Sequence, residues 1–503
     1  MDVQQQINMK SVLKELVCGK ALFLIVVLGF GGTFQTGFNL TVISSTSPYI
    51  QSFINSSWTY RYGEHPGEKT VTLIWSAVVS LFAVGALAGS MTVRCVTSNL
   101  GRKTAMLFNS GLAVVFTIFM YISRPTNSFE LLMLSRFLFG FTSGLGGNIQ
   151  TLYLGESSPQ KIRGMVVLTT ATFLFFGKLS GQFASMTSCS LFREILGREE
   201  WWNILLCVPT CFCAIQMIIL PFLPDAPRYI LIEKGKIEEC RTALQFLWGP
   251  GDYKLEIEEM LAEQAVIQGE NSKSLLDMLR VKHLRWQVLS LLVICGSIQF
   301  CGITAITVFS FNIFLEAGIP VDKIRHVTLG IGTSEVFSSI ISSFLIESVG
   351  RRVLLWIGFG GMSVIMALIT VTLYLKDSSF VIPYITVFLV FLFNIFYAGG
   401  PAAVAHPITS EIFIQSYRPA AFMLTGILCW LGVAIFGFMF PFLNAALKSL
   451  SFVLFSCVCL IAALFVFFIL PETKGKTPLE ISQEFKNIRV CGSSEDEVLE
   501  IKL

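Results

Sequence analysis

The side chains most able to do chemistry in this chain are charges at fixed spacing. A Glu-x6-Arg pair, Glu156 and Arg163, returns as Glu411 and Arg418. A basic turn, Gly101-Arg102-Lys103, returns as Gly350-Arg351-Arg352, and Pro224-Asp225-Ala226-Pro227 is echoed by Pro471-Glu472-Thr473. Each landmark recurs about 250 residues later in the same order, the mark of an internal repeat. Sets of carboxylates and guanidiniums like these form ion pairs. No nucleophile–base arrangement or phosphate-binding loop accompanies them, so the pattern argues against an enzyme. Lys178, Glu335 and His406 lie inside apolar stretches, where an ionised group is costly unless it is paired or serves a site.

The elements that must position these residues are membrane helices. The 503 residues are 53% hydrophobic and only 14% charged, with a mean hydropathy of +0.70, where a soluble domain carries about 25% charged residues. Forty-five Phe and forty Gly suit helices that face lipid outward and pack closely inward. About 20 apolar residues cross a bilayer. That yardstick predicts twelve spans, among them a first at 21–44, a fourth at 129–151, a seventh at 285–313 and a tenth at 380–403. The organisation reads as a cytoplasmic N-terminus (1–20), a six-helix bundle (21–223), a polar loop with short helices (224–284), a second bundle (285–470) and a cytoplasmic tail (471–503).

The even number of spans puts both termini on one side. Arg94, Arg102, Lys103, Lys161, Arg163, Arg351, Arg352 and Arg418 crowd the short loops there, which makes that side cytoplasmic. The polar, lysine-bearing first twenty residues do not read as a cleavable signal. The opposite side receives a loop between spans one and two, with an N-glycosylation pattern at Asn55-Ser56-Ser57. Most cysteines lie in apolar runs and read as small buried residues. No metal-ligand spacing appears, no cofactor is implied, and nothing points to nucleic acid. The last residues, Ile501-Lys502-Leu503, match an ending that PDZ domains accept by strand addition.

The twinned charges Arg102, Arg136, Glu156, Arg163, Arg351, Arg352, Glu411 and Arg418 are expected to form an ion-pair clasp. It would hold the halves together when the cytoplasmic side is shut and break when it opens. Among central polar residues, Gln35, Asn39, Gln299, Thr304, Glu335 and His406 could meet the hydroxyls of a polar substrate, and Trp430 could stack on its apolar face.

The motifs GRK at 101, GESSPQKIRG at 155–164, PDAPRYILIEKG at 224–235, GRR at 350, SEIFIQSYRPAA at 410–421 and PETKGKT at 471–477 resemble the sugar porter branch of the major facilitator superfamily. The resemblance covers about residues 20–485. It is to the animal facilitative hexose transporters (GLUT proteins), and within them to the class II fructose and urate subgroup. It implies an all-α membrane protein of twelve transmembrane helices in two six-helix bundles. It also implies alternating-access uniport of a hexose, fructose ahead of glucose, with urate or another small organic anion as the alternative and a transport-inactive, sensor-like paralogue as a third reading. Ile306 fits a pattern associated with fructose carriers.

Carried over residue by residue, the family's sugar contacts are only partly kept. Gln299 matches a retained contact. The family's span-seven Asn falls on Thr304, its span-eight Asn on Glu335, and the span-ten Trp of glucose carriers on His406. Proton-coupled relatives place an acid where this chain has Asn39, and an amide releases no proton near neutral pH. Spans five and eight adjoin in the family fold. Lys178 and Glu335 both lie roughly 20–23 Å from the cytoplasmic face by helical rise. Two readings follow: an ion pair between Lys178 and Glu335 across the halves, or a Lys178 that snorkels outward alone beside a protonated Glu335. The implied partners are a small-molecule sugar and the lipid bilayer, and the implied location is the plasma membrane.

Overall fold

The computed structural model describes residues 20–159, 162–184, 202–249, 251, 253–267, 274–281, 284–304, 306–307, 314, 318–375, 378–379, 381–414, 416–447 and 450–486. The N-terminal lysines, Lys161, Asn312 and the Ile501-Lys502-Leu503 ending lie outside the described residues.

The described chain is helical. α1 (Ala21–Gly29) passes through a π-helical turn (Phe30–Phe34) into α2 (Gln35–Tyr62). α3 (Glu68–Leu100), α4 (Arg102–Ser123), α5 (Phe129–Ser157) and α6 (Arg163–Ala184) follow, then α7 (Trp202–Cys207) and α8 (Thr210–Ile219) as one broken crossing. Four short helices come next: α9 (Pro227–Ile232), α10 (Ile237–Trp248), α11 (Lys254–Ile267) and α12 (Leu275–Arg280). The second half holds α13 (Arg285–Phe300), α14 (Val321–Val349), α15 (Arg351–Tyr374), α16 (Ile382–Gly399), α17 (Pro401–Ile412), α18 (Arg418–Leu447) and α19 (Ser451–Phe468), with α20 (Pro478–Lys486) after them.

Ten helical stretches are long and apolar enough to cross a bilayer. α5 and α13 complete the twelve expected crossings. α5 is less apolar because most of it is buried among other helices instead of facing lipid. Three expectations are corrected. The loop placed after span one is helical, because α2 continues to Tyr62 before Gly63 ends it. Asn55 therefore sits exposed on a helix, while Ser57 is buried and donates to the Asn127 carbonyl at 2.5 Å. The seventh span is interrupted, since α13 ends at Phe300 and Gly302 turns the chain at a φ of 92°. The tenth span runs past residue 403, as α17 continues from the Gly400 break to Ile412.

The repeat explains itself locally. Gly101 and Gly350 adopt φ of 80° and 97°, where a side chain is strained, and so turn α3 into α4 and α14 into α15 in almost no chain. An acidic residue then caps each new helix. Asp225 accepts the Lys103 amide at 3.1 Å, and Glu472 accepts the Arg351 and Arg352 amides at 2.9 and 3.0 Å.

Small residues set how closely the helices approach. Gly85 and Gly89 on α3 face Gly140 and Gly144 on α5. A methyl group added at any of the four would overlap a carbonyl oxygen of the facing helix. Two Gly-x3-Gly surfaces thus meet, the geometry that lets helices pack where no hydrophobic effect drives them together. Gly37 and Gly177 do the same for α2 and α6.

Beneath the first half, α9, α10 and α11 bury Leu231, Leu244, Leu247 and Met260 against Leu28, Val93 and Leu154. Trp248 anchors α10 by donating to the Ser157 carbonyl at 2.8 Å. α12, closed by a Ser274–Asp277 capping box, turns Met278 into the core of the second half.

Gly140→Val is expected to destabilise the purified protein by roughly 1–3 kcal/mol or more through overpacking. Gly67→Val, at a position with open space around it, should leave the melting temperature in detergent unchanged. Equal melting temperatures for the two variants would contradict the close α3–α5 approach.

Candidate functional site

Two places collect functional side chains: a charged end, where the short turns lie, and a central cavity. At the charged end each half ties its own landmarks into a knot. Arg102 pairs with Glu156 at 2.8 Å and Glu233 at 2.6 Å, and lies over the Tyr229 ring. Burial pushes the Glu233 carboxyl above its usual range, a rise that Arg102 opposes only in part. In the second half Arg351 pairs with Glu411 at 2.7 Å and Glu347 at 2.8 Å, and Thr473 donates to Glu411 at 2.7 Å. The bonds join a helix start, a helix end and the Pro-acid element, so the landmarks separated in sequence converge in space.

These pairs lie within halves. Among the described residues, and beside the apolar packing of Leu168 into the core of the second half, a polar contact between halves at this end comes from Glu347, which sequence reasoning missed. Its Oε1 accepts the Met165 amide at 3.1 Å, capping α6 of the first half while still holding Arg351. The signal was available, because Glu347 precedes Arg351 by four residues, the spacing of a helical ion pair. Arg163 and Arg418 open α6 and α18 and are buried; Arg418 donates to the Phe413 carbonyl at 3.3 Å. Arg352 donates to the Phe467 carbonyl instead of a carboxylate.

Arg136 does not belong to this end, which corrects its assignment to the clasp. α5 starts at the far end and reaches the charged end at Glu156, about 30 Å further by helical rise. Arg136 is 1% exposed and contacts the Asn39 and Val78 carbonyls, each at 3.4 Å, and the Phe82 ring.

The central cavity, about 240 Å³, lies between the halves. Gln299, Thr304, His406 and Trp430 line it, as does Lys178. Trp430 is held edge-on against Phe82 of the other half, with ring centroids 5.9 Å apart. Gln299 packs on Gly432, where a side chain would collide with it. His406 Nδ1 and Thr36 Oγ1, both at residues lining the cavity, are buried with no protein hydrogen-bond partner. Such atoms are the ones a polar ligand satisfies. Thr36 and Asn148 were not singled out from the sequence. Lone polar residues on α2 and α5 read equally well as packing contacts, and Asn148 does donate to Ser90 and the Gly144 carbonyl.

Three expected contacts do not line the cavity. Gln35 turns to α8, donating to the Gly31 carbonyl and accepting from Cys213. Asn39 donates to the Gln35 carbonyl at 3.0 Å. The π-helical turn before them shifts the helical phase, so a uniform helical period assigns their face wrongly. Glu335 lies behind the cavity wall, 2% exposed.

Lys178 and Glu335 meet, Nζ to Oε2 at 3.4 Å. They belong to a seam where α6 and α14 run antiparallel across the halves. The seam carries three polar contacts in constant register: Met165 to Glu347, Thr172 to Ser339 at 2.7 Å, and Lys178 to Glu335.

The model of the family described as "Sugar (and other) transporter" matches residues 24–485. The chain belongs to the sugar transporter family. The transporter is 38% identical over 456 residues to human solute carrier family 2, facilitated glucose transporter member 9, covering 91% of this chain and 83% of that one. It is 38% identical to the human member 11 and 35% identical to the horse member 5, each covering 95% of both chains. These relatives place it within the facilitative transporters of the class II group, which are carriers and not enzymes. Its fold matches the proton:xylose symporter XylE bound to 6-bromo-6-deoxy-D-glucose with a TM-score of 0.78 at 19% identity, over 93% of this chain and 99% of that one.

Breaking the Lys178–Glu335 pair leaves an uncompensated buried charge, a loss of roughly 3–5 kcal/mol. Lys178→Glu and Glu335→Lys should each lower uptake and thermal stability, and the double variant should regain a large part of both. A double variant no better than either single one would contradict the pairing.

Proposed function

We propose that the transporter is a facilitative uniporter for a hexose, fructose or glucose, working by alternating access. The observation that carries this reading is the central cavity. It is sized for a small ligand, walled by helices of both halves, and supplied with an amide, hydroxyls, an imidazole and an indole edge. A polyhydroxylated ring uses all of these, with its C–H face toward Trp430 and its hydroxyls toward Gln299, Thr304, Thr36 and His406. The names of the relatives, facilitated glucose transporters, agree with it. Fructose is placed ahead of glucose on the sequence pattern at Ile306. That residue is buried in a helix core and is not among those lining the cavity, so its influence would be indirect.

Two of the groups that could carry a proton support uniport, and His406 is the one left that would give symport. Asn39 is an amide, and Glu335 is held by Lys178. The charged end, rich in Lys and Arg, is read as cytoplasmic, with both termini there and the protein in the plasma membrane. On that reading Asn55 lies outside the cell as a glycosylation candidate, and the Ile501-Lys502-Leu503 ending lies on the side where a PDZ domain would meet it.

Urate or another small organic anion is the second reading, because Lys178 borders the cavity. Purified transporter in liposomes, offered labelled fructose, glucose and urate with and without a pH gradient, separates the cases. Saturable hexose uptake indifferent to the gradient is expected, reduced at least tenfold by Gln299→Ala. Uptake of urate alone would move the assignment to the anion, gradient-driven accumulation would contradict uniport, and binding without flux would mark a sensor.

A further inference from the structure

We propose that a second ligand site lies at the end opposite the charge clusters, inside the first half, and that it takes a monosaccharide bearing a carboxylate, a hexuronate. A pocket of about 650 Å³ opens there between the outer part of α2, the turn after α4 and the start of α7. It shares no described lining residue with the central cavity.

The continuation of α2 as a helix builds one wall. Ser52, Phe53 and Ser56 fall on one face of it, beyond the apolar stretch that ends at Ile43. The mouth is polar, with exposed Ser52, Ser56 and Asn127. The floor is buried and aromatic: Phe53 and Trp202 have ring centroids 5.4 Å apart.

Two groups point to the ligand's chemistry. Asn203 is 4% exposed; its amide nitrogen donates to the Tyr121 carbonyl at 3.4 Å, and its Oδ1 is buried with no partner. An orphaned buried acceptor calls for a donor such as a hydroxyl. Arg124 is half-buried at the rim, and among the described residues its guanidinium has no ion pair. The nearby carboxylate, Glu130, is already held by Arg61 at 2.5 Å. A guanidinium with no ion pair among the described residues, beside an aromatic floor, selects an anion with an apolar face. A hexuronate meets all three demands: a ring C–H face for Trp202, a hydroxyl for Asn203 and a carboxylate for Arg124. A neutral hexose lacks the last, and a simple carboxylate lacks the first two.

Saturation-transfer NMR on the full-length transporter in detergent, titrated with D-glucuronate, D-glucose or acetate, tests this. Saturable glucuronate binding is expected, weakened about tenfold, or 1.4 kcal/mol, in Arg124→Gln and in Asn203→Leu. Gln299→Ala, in the central cavity, should leave it unchanged, and acetate should not bind. Arg124→Gln changes only a rim side chain, so the test survives if Asn203→Leu fails to fold. Absence of glucuronate binding, equal binding in Arg124→Gln, or loss in Gln299→Ala would overturn the proposal. The central hexose reading is read out separately by uptake.

Discussion

Two guanidiniums at the membrane boundary, Arg102 and Arg351, organise the rest of the molecule. Each is buried, and a buried cation there is tolerated only when carboxylates surround it. Glu156 and Glu233 serve Arg102, and Glu411 and Glu347 serve Arg351. The Pro-acid elements then cap the helices that the arginines begin. One constraint thereby fixes a turn, a helix end and the return of the chain, twice over. The two halves differ in one respect. Ser98, four residues before Arg102, stands where the second half has Glu347 before Arg351. Glu347 reaches across to the other half, where it caps α6 at Met165, and Ser98 carries no carboxylate to do the same.

That contact has a meaning for the transport cycle. A carboxylate that pairs within its own half keeps its partner in every state. A carboxylate that also caps a helix of the opposite half can do so only while that end is closed. Such a difference between states is what a conformational equilibrium responds to. Further along the same seam, Thr172–Ser339 and Lys178–Glu335 extend the contact toward the cavity wall. The glycine surfaces of α3–α5 and α2–α6 hold the helices of the first half in close contact.

The architecture was legible because it is written redundantly. Apolar runs give the crossings, lysines and arginines give the faces, and the doubled landmarks give the two bundles. Gln299, Thr304, His406 and Trp430 also emerged from the sequence, since polar or indole side chains in apolar helices leave few roles open. Gln35 and Asn39 misled because a π-helical turn changes which face a residue presents, and no hydrophobic period reports it. Arg136 misled because its charge resembles those of the clasp while its distance along α5 does not. The long helical extension of α2 was hidden by its polar composition, which reads as a loop when lipid burial is the only guide. Glu347 was hidden by its neighbours, the stronger signal of Gly350-Arg351-Arg352.

We propose that Glu347 helps close the charged end by capping the opposite half. Spin labels at Leu100→Cys and Val349→Cys, two exposed and repeat-related positions at that end, report the separation of the halves in a cysteine-depleted background. Double electron–electron resonance should show a dominant short distance in the otherwise unchanged protein and a population shifted to longer distances in Glu347→Ala. Identical distance distributions in the two proteins would contradict the account.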